Sequence, residues 1–86
     1  MMNSVTPEEL YLYCRIDDVE EQQRLAYSIA DAKEAYLLRQ NIPLNDSTRE
    51  RFALCVKAWT LHELDHPGEA TPQGIREKIN DLKFNH

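Results

Sequence analysis

VEEQQRLAYSIADAKEAYLLRQ, from Val19 to Gln40, reads as one uninterrupted helix of roughly 33 Å, the longest element of the chain. Leu25, Ile29, Ala32 and Tyr36 recur at i, i+4, i+7 and i+11, the spacing that lines one face of a helix, so they are expected to form its core stripe. Asp31 and Glu34 fall on the opposite side. Tyr27 and Leu38 also point away from the stripe, which makes them either scattered surface groups or contacts for another chain. Asp18 with Glu21 three residues later predicts the cap at the start.

Working outward, the same start and stop signals recur. Thr6-Pro7-Glu8-Glu9 offers a cap, a proline at the first helical position and an acid three residues after the cap. A short first helix from about Pro7 to Cys14 follows, burying Leu10, Tyr13 and Cys14. Beyond Gln40, the segment Asn41 to Asp46 contains Pro43 and reads as a short connection between antiparallel helices. Ser47 and Glu50 have capping-box spacing ahead of a third helix from about Thr48 to Asp65. That helix has Phe52, Val56 and Trp59 on one face and Leu54 and Leu61 almost opposite. Being apolar on both sides, it is expected to be central. Pro67-Gly68 ends it. Thr71-Pro72 starts a last helix, with Ile75, Ile79 and Leu82 on one face and a tail expected to fray from Lys83. With two glycines and few β-branched runs, the chain is all-α: a small bundle of about four helices.

Eighty-six residues make one domain spanning 1–86. A chain this short often needs a disulfide, a metal or oligomerisation to supplement its core. Cys14 and Cys55 lie far apart and form no Cys-x-x-Cys pair, so both are expected to be reduced and largely buried. The chain carries 15 acidic against 10 basic residues, a formal charge of −5, and its bases are scattered. That balance disfavours direct gripping of nucleic acid or an anionic membrane. The start, Met1 to Glu9, is polar and acidic. No apolar run approaches a membrane span, so the expected location is the cytoplasm.

His62-Glu63-Leu64-Asp65-His66 matches the His-Glu-x-x-His pattern, which sets two imidazoles one turn apart to hold zinc with a glutamate as general base. A catalytic site also needs a third protein ligand and an open position for water. The extended pattern fails, because its further positions hold Glu69 and Pro72. Glu77 on the last helix is the remaining third-ligand candidate. Pro67 places His66 in the final turn, where the helix dipole gives a histidine an ordinary reason to be. Neither metal nor cofactor nor catalytic residue is therefore expected, and the chain reads as acting through its surfaces. Asp17, Asp18, Glu20 and Glu21 form an acidic cluster suited to a helix start and lack a glycine-bearing calcium loop.

The run Leu10-Tyr11-Leu12-Tyr13-Cys14-Arg15-Ile16-Asp17 resembles the opening of the phage head-tail connector proteins, a family of DNA-packaging adaptors that begins Leu-x-x-Tyr-Leu-Arg-Ile-Asp. The acidic Glu20-Glu21, then Leu25, Ile29, Ala30, Ala32-Lys33 and Tyr36, are similar to its next helix. Ala53, Leu54, Val56, Ala58, Leu61 and His62 are similar to its third. Pro72, Gly74, Ile75, Ile79 and Leu82 are similar to its last. The resemblance covers nearly the whole chain. Cys14 departs from the family's leucine, the connection at Asn41 to Asp46 is short, and Leu64-Asp65-His66-Pro67 replaces a Tyr-Glu-Asn-Arg-like helix end. What the resemblance implies is a structural subunit of a homo-oligomeric ring that docks under the portal, extends the DNA channel and receives the next neck or tail-completion protein. DNA would be cargo only. The subunit would reside in the host cytoplasm during assembly and in the virion neck afterwards. On this reading Tyr27, Leu38, Asp31 and Glu34 are candidates for a subunit or partner interface, and Asp17, Asp18, Glu20 and Glu21 for a channel- or partner-facing surface. Two other classes stand beside it: a zinc-dependent hydrolase using His62, Glu63 and His66, and a small cytoplasmic regulatory binding module.

Overall fold

A computed structural model describes residues 2–85; Met1 and His86 lie outside them. The described residues form four helices and no strand: α1 (Pro7–Tyr13), α2 (Glu20–Arg39), α3 (Arg49–Asp65) and α4 (Gln73–Phe84). The central position expected of the third helix is observed, since α1, α2 and α4 all pack on α3. Phe52, Cys55 and Val56 are fully buried there. Leu61 packs against the core from the other flank, while Leu54 stays 43% exposed.

The chain ends α1 and α2 by the same device. Arg15 and Asn41 take left-handed conformations, with φ of 55° and 63°. After α2, Asn41 N donates to Leu38 O at 3.1 Å and Ile42 N to Leu37 O at 3.4 Å. After α1, Arg15 N donates to Leu12 O at 3.3 Å and Ile16 N to Tyr11 O at 3.0 Å. Both pairs are Schellman closures, in which a left-handed residue lets two amides reach back to otherwise unsatisfied carbonyls. Ile42 and Leu37 are buried together, which supplies the apolar contact that accompanies this motif. After α3, Pro67 and Gly68 (φ 80°) form the centre of a type II turn closed by Glu69 N donating to His66 O at 3.2 Å.

Three local expectations are corrected. The cap of α2 is Val19, which makes no side-chain cap bond; the Asp18 carboxylate accepts from Gln23 Nε2, at 3.5 Å. At α3 the cap position is Thr48 rather than Ser47, and it makes no side-chain cap bond; in the turn before it the Asn45 carboxamide oxygen accepts from Ser47 N at 2.9 Å and Thr48 N at 3.2 Å. Thr48, fully buried, donates its hydroxyl to Pro43 O at 2.7 Å. The end of α4 is anchored: Arg51 pairs with Asp81 at 2.9 Å and donates to Asn85 O at 3.0 Å.

The largest correction concerns the face α2 turns inward. Ala26, Ala30 and Leu37 are fully buried and Glu34 is 2% exposed. Leu25, by contrast, is 55% and Tyr36 39% exposed, Ala32 is exposed and Ile29 is half-buried. Three of the inward residues stand one position after an expected one, a rotation of roughly 100° about the helix axis. Packing on α3 and docking of the N-terminal segment both favour this face. Met2 and Val5 are core residues, 8% and 4% exposed, in the same cluster as Ala26, Ala30 and Leu37 of α2. The Glu34 carboxylate holds this segment, accepting Asn3 N at 2.9 and 3.0 Å and Ser4 N at 2.5 Å. A start that reads as polar thus completes the core.

Cys14 and Cys55 are both buried free thiols. Burial pushes the Cys55 thiol up to about 11, Lys78 pulling it only partly back. Burial, then the nearby Asp65, raises Cys14 as well. Because the folded pKa of Cys55 exceeds the unfolded one, its contribution to stability is complete below the unfolded pKa and lost as pH rises through the folded value. The urea midpoint is expected to fall as pH climbs from 9 toward 11, and a Cys55→Ala chain should lose part of that fall.

Candidate docking surface

Rotation of α2 turns the expected core stripe largely outward, with Leu25, Ala32 and Tyr36 exposed and Ile29 half-buried. Leu25, Ile29, Ala32 and Tyr36 run along the helix beside two concave regions. At the C-terminal end of α2 a trough of about 460 Å³ separates α2 from α4, with Trp59 of α3 between them. Lys33, Tyr36 and Arg39 line it from α2, and Arg76 and Ile79 from α4. Tyr36 meets Trp59 edge to face at 5.5 Å. Lys33 Nζ lies 4.5 Å from the Trp59 ring centroid and 2.9 Å from Glu63 Oε1, so its charge is already matched.

At the other end of α2, Leu25 joins Ile16, Leu61 and Leu64 around a depression of about 320 Å³. A neighbouring depression is lined by Leu12 and Tyr13, and the two share Cys14, Arg15, Leu61 and Asp65. Leu12 is 82% exposed. Lone exposed leucines are ordinary; a run of apolar groups joined along a helix and its adjoining corner is the kind of surface that marks a contact.

The residues singled out beforehand fall in different places. Leu38 is 43% exposed, but Tyr27 is half-buried against the core and its hydroxyl accepts Met2 N at 3.4 Å. Glu34 is buried and spent on Asn3 and Ser4, so it offers nothing to a partner. Asp31 is half-buried and engaged. Asp17, Asp18, Glu20 and Glu21 are all exposed at the α1–α2 corner, with Glu20 3.7 Å from Arg24. The exposed stripe is legible in the sequence as a pattern, while its outward direction is set by packing.

The His-Glu-x-x-His residues are dispersed into local pairings. The His62 and His66 ring centroids are 5.1 Å apart. His66 Nδ1 lies 3.0 Å from Glu69 across the type II turn. Glu63, which would be the general base, is the carboxylate paired with Lys33. Glu77 lines a separate trough with Arg51 and Leu54. Among the described residues, no three His, Cys, Asp or Glu side chains gather as a metal would require. No described helix is long and apolar enough to cross a membrane.

Comparison with family models, curated proteins and solved structures yields no match to this chain.

Proposed function

We propose that the chain is a non-enzymatic structural subunit of a phage or prophage head-tail connector ring. In this role it docks under the portal, continues the DNA channel and presents a surface to the next neck or tail-completion protein. It assembles in the host cytoplasm and ends in the virion neck. The ordered similarity from Leu10-Tyr11-Leu12-Tyr13 through Gly74-Ile75 supports the class. The observation that carries an assembling role is the outward stripe of α2, Leu25 to Tyr36, whose leucine stays 55% exposed and whose tyrosine stays 39% exposed even with one edge against Trp59. Burial between neighbours would remove this surface from water and stabilise so small a domain. The net charge of −5 suits a conduit that repels phosphate rather than gripping it.

Disrupting the gene in the genome that carries it tests this directly. Electron microscopy of induced particles should show DNA-filled heads lacking tails, restored by the wild-type chain. A Leu25→Ser, Ala32→Glu chain should fold with unchanged helical circular dichroism and yet fail to restore tails. Tailed, infectious particles from the disrupted genome would refute the role.

A further inference from the structure

We infer that the trough between α2 and α4 is a socket for the α1–α2 corner of a second copy of this chain. The inference rests on the assembly reading above and adds which two surfaces meet.

In a chain with 15 acids and 10 bases, the trough is lined by Lys33, Arg39 and Arg76 and by no acid. Lys33 is neutralised by Glu63, so Arg39 and Arg76 set its sign. Arg39 is exposed and forms no ion pair among the described residues. Arg76 stands near the N-terminal end of α4, where the helix dipole favours an acid; its Nε donates to Thr71 O at 3.1 Å. Like Arg39, it has no ion-pair partner among the described residues, so the positive charge of the trough is unmatched within the chain. Tyr36, Trp59 and Ile79 add apolar wall.

The corner has the complementary character. Leu12 and Leu25 present apolar surface, 82% and 55% exposed, each beside one of the two depressions described above. Beside them stand Asp17, Asp18 and Glu21, none of which has an ion-pair partner among the described residues, so they outweigh Arg15. Glu21 and Arg39 lie roughly 27 Å apart along α2, several times the screening length of about 8 Å at physiological salt. One chain cannot join its own corner to its own socket; a neighbour can. Because the patches differ, the contact is heterologous and can be repeated from copy to copy, closing a ring where the rotation permits, whereas an isologous contact would stop at a pair.

Sedimentation of three chains tests the contact: wild type, Arg39→Glu with Arg76→Glu, and Asp18→Lys with Glu21→Lys. Wild type should form species of more than two copies as concentration rises, dissociating as salt is added. Each variant alone should remain monomeric with unchanged helical circular dichroism, since every altered side chain is exposed. Mixing the two variants in equal amounts re-pairs opposite charges at both junctions of an alternating assembly and should restore species of more than two copies. Variants that assemble like wild type, a mixture that stays monomeric, a wild type that stops at two copies or remains monomeric at millimolar concentration would each overturn the contact. The tail-less-particle phenotype is decided separately, so the connector role and this interface can fail independently.

Discussion

Phe52→Ala should lower the unfolding free energy by about 3–5 kcal/mol, the range for truncating a fully buried aromatic ring. Phe52 is the largest side chain wholly removed from solvent, and it sits on α3, the helix every other helix touches. The loss combines the transfer of the ring to water with the cavity left behind. Total stability of a chain this size is expected to be about 4–13 kcal/mol, so the variant would stand near the threshold of folding at body temperature. Urea titration followed by circular dichroism gives the measurement: the midpoint should drop with the slope unchanged. A drop worth less than about 1 kcal/mol would show that the four helices do not share this core.

Glu34→Ala should cost about 3 kcal/mol, because the amides of Asn3 and Ser4 lose a charged acceptor in a largely buried place. The damage has a particular location. Met2 and Val5 should leave the α2 face together with Asn3 and Ser4, so amide exchange at Asn3 and Ser4 should accelerate far more than at Phe52 or Val56 in α3. Glu34→Gln keeps one acceptor oxygen and should lose about half as much. Slow exchange at Asn3 and Ser4 in the alanine chain would mean that apolar packing by Met2 and Val5 holds the segment without the carboxylate.

Much of the helical plan was legible in the sequence because its signals are local. Thr6 Oγ1 accepts Glu9 N at 3.2 Å as the cap predicts, Pro7 opens α1, and Pro67-Gly68 stops α3. Misreadings arose where a distant segment decides. The alanine face of α2 has too few large side chains to read as interior, and Glu34 argues against burial unless Asn3 and Ser4 are known to be waiting for it. Ser47 does not cap α3 because the Asn45 side chain organises the turn ahead of it, reaching the Ser47 and Thr48 amides at once. The docking surface was half visible for the same reason. Periodicity locates a stripe, and only the packing of α3 and the N-terminal segment on the other face reveals that the stripe faces outward.

Trp59 is the only indole in the chain and stands on the wall of the α2–α4 trough, touched by Tyr36 and overlain by the Lys33 ammonium. Its near-ultraviolet emission therefore belongs to a single place. A change in intensity or wavelength at constant helical content reads events at that wall, with no attached dye and no other tryptophan to subtract.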